Sequence, residues 1–349
     1  MTSPLIDCDV HNVVGSIETL TPYLSDHWRE VIATSQFAGP TDQAHPPNLA
    51  TSRRHDLNGV GDEAPGRGLA TVRAQLLDPL GLEYAILSCD YGVESVRNPD
   101  AASALAAAVN DWQIECWLEP EPRLRAGIVV ASQQPGAAVA EIERVAAHPQ
   151  FVAVYLPVRS AIPYGNRIWW PVLEAASAHG LVVELHFGGS SGVPPTASGW
   201  PTSWLEEYVD MASAFSAQLT SLIAEGAFDH LPELRVSLIE SGFAWLPAFL
   251  WRFDKGWRGL RREIPWTRRR PSEYVGEHVR VALQPVDGPP GSDKLLRVIE
   301  QLPSEDLLMF ASDYPHRHSS DELAAIPSGL PESLEEGLRA GNARAHYRL

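Results

Sequence analysis

Short apolar runs recur along the chain of 349 residues. Several are almost uninterrupted by polar side chains, as at 127–131 and 181–185. Such runs are typical of parallel strands that are buried on both faces. On this basis we predict eight strands, at 4–11, 84–89, 125–131, 151–158, 181–187, 235–241, 278–284 and 307–314.

Segments whose apolar residues have helical spacing lie between most of these runs. The predicted helices cover 101–117, 135–147, 170–179, 203–227, 244–255 and 292–301. Strands that alternate with helices in this way predict an α/β fold, a single (β/α)8 barrel of the TIM type over residues 1–349. An open doubly wound sheet is disfavoured, because no Gly-x-Gly-x-x-Gly motif follows the first strand.

Two long segments interrupt the alternation. Residues 12–70 follow the first strand and include several prolines and a polar stretch. Loops of this length are often lids over functional sites, so we expect a lid insertion here. Residues 257–277 are dense in arginine, and we expect a charged surface that faces solvent or another subunit.

Charge and composition narrow the class of protein. A formal charge of −17 opposes broad attraction to nucleic acid or to an anionic membrane. The three cysteines are too few and too irregular for a disulfide framework, which fits a reducing compartment. No apolar stretch approaches the roughly 20 residues that span a bilayer, and the first residues do not resemble a signal peptide. We therefore expect a cytoplasmic protein.

Reactive side chains in a barrel project from the carboxyl ends of its strands. Those ends carry Asp9 and His11 on strand 1, His186 on strand 5, Glu240 and Ser241 on strand 6, and Asp313 and His316 on strand 8. Charged groups inside a barrel are costly unless they are paired or bind a metal ion. Asp9, His11, His186 and Asp313 would suit zinc, manganese or a similar ion. The alternatives are hydrogen-bonded structural histidines and, for Asp313, a helix cap.

Four motifs in strand order carry a resemblance to a known family. They are Ile6-Asp-Cys-Asp-Val-His11, Glu184-Leu-His186-Phe-Gly-Gly189, Leu238-Ile-Glu-Ser-Gly-Phe-Ala-Trp-Leu-Pro247 and Phe310-Ala-Ser-Asp-Tyr-Pro-His316. Together they resemble the amidohydrolase superfamily. The closer likeness is to the amidohydrolase-related branch, which includes aminocarboxymuconate semialdehyde decarboxylase and the γ-resorcylate-type decarboxylases.

This resemblance implies a distorted barrel that holds one divalent ion and cleaves carbon–carbon or carbon–heteroatom bonds in small, often aromatic or carboxylated molecules. By position, the metal ligands would be Asp9, His11, His186 and Asp313. Zinc is the expected ion, with manganese or iron as alternatives. A second ion is not expected, because binuclear barrels commonly need a modified lysine at the end of strand 4. The two lysines of the chain are elsewhere, and strand 4 supplies Tyr155, a candidate substrate contact.

One position departs from the decarboxylases of this branch, which have a histidine at the end of strand 6. This chain has Glu240, Ser241 and Gly242 there. Our leading hypothesis is therefore a metal-dependent hydrolase. Water on the metal would attack the substrate, Asp313 would accept its proton, and Glu240 or His316 would protonate the leaving group.

Two other functions remain open. One is non-oxidative decarboxylation, in which the metal binds the substrate and an acid protonates the carbon that loses carbon dioxide. The other is a barrel that has lost catalysis and binds a ligand or a partner.

Substrate contacts are expected from Tyr155, Ser241, Arg54 in the lid, and Arg252. In the decarboxylases of this branch, an arginine at the offset of Arg252 comes from a neighbouring subunit and can clamp a carboxylate. We therefore expect a homodimer that acts on a small molecule. The alternative for Arg252 is a surface ion pair with Asp254 or another acid.

Overall fold

The computed structural model describes residues 4–40, 57, 59, 61–189, 193–289, 291–316 and 326–349. Eight strands lie in one sheet in chain order, and each consecutive pair is parallel. Their bounds are β1 Ile6–Val10, β2 Tyr84–Leu87, β3 Leu124–Val129, β4 Phe151–Arg159, β5 Val182–Gly189, β6 Val236–Ile239, β7 Val279–Ala282 and β8 Leu308–Met309. Each lies within or beside its predicted segment, so the (β/α)8 prediction is confirmed.

The described α-helices are α1 Ile17–Leu20, α2 Asp26–Thr34, α3 Leu69–Val72, α4 Asp78–Leu80, α5 Pro99–Gln113, α6 Pro135–Val145, α7 Trp170–Ala178, α8 Trp204–Ala224, α9 Ala227–His230, α10 Leu246–Leu260, α11 Pro271–His278, α12 Ser292–Ile299, α13 Glu332–Glu336 and α14 Asn342–Tyr347. All six predicted helices are present. Helix α5 continues as a π-helical turn at Ile114–Leu118. None of the described helices combines the length and the apolar surface needed to cross a membrane.

The two long segments contain helices as well. Helices α1 and α2 begin the segment at 12–70, and α3 begins just before it ends. Residues 41–56 lie outside the described residues, so the lid stays a prediction. The arginine-dense segment at 257–277 contains the end of α10 and most of α11.

The barrel has an apolar filling at the amino ends of its strands. Ile6, Cys8, Ile86 and Met309 belong to one buried cluster there, together with Tyr347 of α14. The Tyr347 hydroxyl donates a hydrogen bond to Glu184 Oε1 over 2.7 Å. The last helix therefore closes the end of the barrel opposite to the candidate site, where reactive side chains do not gather.

The barrel closes where β8 returns to β1. We call this junction the β8–β1 seam and define it as residues 7–11 and 310–314. Cys8 N donates to Phe310 O over 3.0 Å, and His11 N donates to Tyr314 O over 2.8 Å. These bonds hold the two chain segments that carry Asp9, His11 and Asp313 side by side.

Candidate metal centre

Four side chains predicted to bind metal lie together at the carboxyl ends of the strands. Asp9 belongs to β1 and His186 to β5, while His11 and Asp313 follow β1 and β8. His186 Nε2 is 3.2 Å from Asp9 Oδ1. His11 Nε2 is 3.0 Å from Asp313 Oδ1 and 3.7 Å from Asp9 Oδ1. All four residues are buried.

This spacing fits a single divalent ion. Donor atoms of Asp9, His11 and His186 lie within 4.8 Å of one another. Around an ion that is bound at about 2.0–2.2 Å, neighbouring donors in a tetrahedral shell are roughly 3.3 Å apart. Asp9 Oδ2 is also buried without a hydrogen-bond partner among the described residues. Burying a carboxylate oxygen without a partner is unfavourable, and a bound cation would stabilise it.

His316 extends the cluster on the β8 side. Its Nδ1 is 2.9 Å from Asp313 Oδ1, and its ring centroid is 4.4 Å from that of His11. His11, Asp313 and His316 form a second group whose donor atoms could share an ion. Both groups contain His11, so they describe neighbouring parts of one site.

The carboxylates of the cluster oppose the effect of burial on the pKa values of the neighbouring histidines. Burial by itself lowers the pKa of His186, but the charge of Asp9 and the hydrogen bond to it raise that pKa well above its usual value. Burial likewise lowers the pKa of His316, but the charge of Asp313, the hydrogen bond to it and the charge of Asp9 together raise that pKa above its usual value. Protons and a metal ion therefore compete for the same atoms.

Two site residues have an unusual backbone conformation. Asp313 has a φ of 53° and Glu240 a φ of 62°, both in the left-handed region. The only other non-glycine residue with positive φ among the described residues is Arg348, near the end of the chain. This conformation costs roughly 1–3 kcal/mol and concentrates at functional sites. It turns the chain sharply at the ends of β6 and β8.

Glu240 rather than Ser241 interacts electrostatically with the ligand set. Glu240 is buried, and its charge contributes to the raised pKa values of His186 and Tyr208. The Ser241 hydroxyl donates to Gly242 O over 2.7 Å, so it is engaged within its own turn. The sequence placed both residues at this strand end without choosing between them.

Tyr155 forms a wall beside the ligands. Its ring centroid is 5.3 Å from that of His186, and its hydroxyl donates to Asp90 Oδ1 over 3.0 Å. Asp90 was not predicted as a site residue, because the predicted strand 2 ended at Cys89. Extending each strand end by one residue would have found it.

The side chain of Arg159, at the end of β4, makes structural contacts. It forms a buried ion pair with Glu207 and donates to Gly188 O over 3.3 Å. A guanidinium with these partners is not free to clamp a substrate carboxylate.

One predicted substrate residue, Arg252, is not part of this cluster. Arg252 is exposed on α10 and lines a surface groove with Phe253 and Trp257, to which none of the proposed ligands contributes. Asp254 accepts hydrogen bonds from Ser272. Arg54 lies outside the described residues.

A model of the amidohydrolase family matches residues 6–349. No curated protein matches. An amidohydrolase from Mycobacterium avium subsp. paratuberculosis K-10 has a similar structure, with a TM-score of 0.75 and 18% identity over 99% of this chain and 100% of that one.

Two decarboxylases are similar over nearly their whole length. Dihydroxybenzoic acid decarboxylase from Polaromonas sp. JS666, with bound manganese and 2-nitroresorcinol, has a TM-score of 0.69 and 21% identity, covering 100% of this chain and 98% of that one. 5-Carboxyvanillate decarboxylase from Novosphingobium aromaticivorans DSM 12444, with manganese and 4-hydroxy-3-methoxy-5-nitrobenzoic acid, has a TM-score of 0.72 and 20% identity, covering 100% and 97%. At these identities the likeness establishes the fold.

Proposed function

The chain is an enzyme of the amidohydrolase family, and from that premise we propose that it is a metal-dependent decarboxylase of a small aromatic carboxylate. Solved decarboxylases share its fold across the whole chain. Hydrolysis, the leading hypothesis from the sequence, is less well supported than decarboxylation, which was its alternative. Family membership also disfavours the non-catalytic barrel.

One divalent ion held by Asp9, His11, His186 and Asp313 would serve this reaction. Such an ion supplies Lewis acidity that holds and polarises substrate oxygen atoms. Zinc was the prediction from the sequence. The manganese in two similar decarboxylases, together with two carboxylate ligands, favours manganese as its strongest competitor.

The burial of Glu240 at the end of β6 is the observation that supports the proposal most directly. Decarboxylation replaces a carbon–carbon bond with a carbon–hydrogen bond, so the enzyme must hold a proton donor against the vacated carbon. Glu240 is 5% exposed, and the left-handed turn at the end of β6 brings its charge close to His186. It lies at the strand end at which the decarboxylases that this sequence resembles carry a histidine, one position before Ser241, which aligns with that histidine. We propose that Glu240 takes up a proton from solvent and then delivers it to the vacated carbon.

The other side chains orient the substrate. Tyr155 packs beside His186, and its hydroxyl donates to Asp90, so the ring is held next to the proposed metal ligands. His316 is hydrogen-bonded to Asp313 and is the second candidate proton donor. Ser241, whose hydroxyl is engaged with Gly242 O, supports the turn rather than the substrate.

Labelled water tests the reaction type. Hydroxylated and methoxylated benzoic acids, beginning with 2,6-dihydroxybenzoate and 5-carboxyvanillate, are supplied in deuterium oxide and separately in water enriched in oxygen-18. We expect released carbon dioxide and a product with deuterium at the vacated carbon, without oxygen-18. Turnover of lactones or amides with incorporation of oxygen-18, and no carbon dioxide from any acid, would instead establish a hydrolase.

Replacing Glu240 tests the proton donor. We expect Glu240→Gln to lower the kcat for carbon dioxide release by about 10²- to 10⁴-fold, the usual contribution of a positioned acid. Metal content should not change, because Glu240 is not among the proposed ligands. Ser241→Ala is the matched control and should keep near-normal kcat. If His316→Asn causes the large loss and Glu240→Gln does not, the proton comes from His316.

Arg252 is proposed to act in the active site of a partner subunit. It is exposed on α10, and Trp251 and Leu260 of the same helix are also exposed, at 61% and 59%. Apolar side chains of this size on a helix surface suit a subunit contact. An arginine fork from the partner would match the substrate carboxylate.

Subunit mixing tests this arrangement. Arg252→Ala and His186→Ala should each be inactive as homodimers, because each lacks one part of a shared site. Mixed dimers contain one intact site, so unfolding and refolding the two variants together should restore part of the activity. An active wild-type monomer in light scattering, or no recovery from mixed dimers, would reject the proposal.

A further inference from the structure

The β8–β1 seam has an interruption in its backbone hydrogen bonds. Cys8 N pairs with Phe310 O and His11 N pairs with Tyr314 O. Between these two bonds, Ser312 N donates over 2.9 Å to a side-chain atom, Asp7 Oδ1. A carboxylate oxygen therefore takes the place of a backbone carbonyl at the middle of the seam.

The same oxygen also binds the backbone of a proposed ligand. Asp9 N donates to Asp7 Oδ1 over 3.2 Å. Ser312 directly precedes Asp313, whose backbone is in the left-handed conformation. One atom of Asp7 thus connects the backbone of the Asp9 ligand to the residue before the Asp313 ligand.

Burying Asp7 at this position is energetically unfavourable. Asp7 is fully buried, and its Oδ2 has no hydrogen-bond partner among the described residues. Burying an unpartnered carboxyl oxygen is unfavourable, and an apolar residue would avoid that cost. An apolar residue could not accept the two N–H groups, which would then be buried without a partner.

We propose that Asp7 is a positioning residue for the metal centre, and that its Oδ1 sets the distance between the Asp9 and Asp313 backbones. The inference rests on the proposed metal centre. Without Asp7, the ends of β1 and β8 lose the bond at Ser312. They keep the flanking bonds of Cys8 and His11 and the bridge between Val10 and Tyr314. Asp9 and Asp313 could then separate, and the four donor atoms would fit an ion less well. Outer groups that orient ligands typically contribute about 10- to 100-fold to metal affinity.

Cobalt(II) binding measures this effect without any substrate. The dissociation constant is obtained by competition with a chromophoric chelator, and the visible absorption spectrum reports the ligand geometry. We expect Asp7→Ala to bind cobalt at least about 10-fold more weakly, with an altered spectrum. Asp7→Asn keeps an acceptor oxygen at the Oδ1 position and should stay close to the wild type in both measurements.

A matched control separates positioning from stability. Ile142 is fully buried on α6, outside the seam. Ile142→Ala should lower the free energy of unfolding and leave the cobalt affinity and spectrum unchanged. If Asp7→Ala does not fold, Asp7→Ser carries the test, because its hydroxyl is too short to reach both N–H groups.

Two outcomes would overturn the inference, and they are distinguishable. If the alanine or serine variant is less stable but binds cobalt as tightly as the wild type with the same spectrum, Asp7 is a structural residue only. If the wild-type protein binds no cobalt, the proposed metal centre is wrong and the role of Asp7 fails with it.

Discussion

The closure of the barrel between β8 and β1 is the constraint on which the candidate site depends. Three of its four proposed ligands, Asp9, His11 and Asp313, lie on the two sides of this seam. His186 comes from β5 on the opposite side of the barrel. A barrel of eight strands is the device that brings these distant parts of the chain together, because its carboxyl strand ends meet at one opening. Small errors in closure would change the ligand geometry directly.

Several unfavourable features of the molecule lie at this opening. Asp7, Asp9 and Glu240 are buried carboxyl groups, and the backbones of Glu240 and Asp313 are in the left-handed region. The amino ends of the strands are filled with apolar side chains and closed by Tyr347. Such packing offsets local strain elsewhere in a fold and lets a site keep residues that do not stabilise it. The amino ends of the strands therefore stabilise the barrel, while the carboxyl ends hold the site residues.

The sequence predicted the strands well because buried parallel strands leave continuous apolar runs, and it predicted the fold from their alternation with helices. It also identified residues that the structure brings together, because spacing along a strand decides which side chains share an end. The sequence could not decide whether Glu240 or Ser241 takes the strand-6 position of the site, because that depends on a left-handed turn of the backbone. Asp7 was not predicted as a site residue from the sequence, because its proposed role depends on a contact with Ser312, 305 residues away. Hydrolysis was ranked above decarboxylation because of one missing histidine, and the similar solved structures support the decarboxylase alternative better.

We propose that the fold brings Asp9, His11, His186 and Asp313 together around one divalent ion. Metal content of the purified protein, measured beside His186→Ala together with X-ray absorption at the metal edge, tests it most directly. We predict one ion per chain, coordinated by two imidazoles and by oxygen donors, and lost in the variant. A protein that binds no divalent ion after reconstitution, or binds one without imidazole ligands, would contradict it.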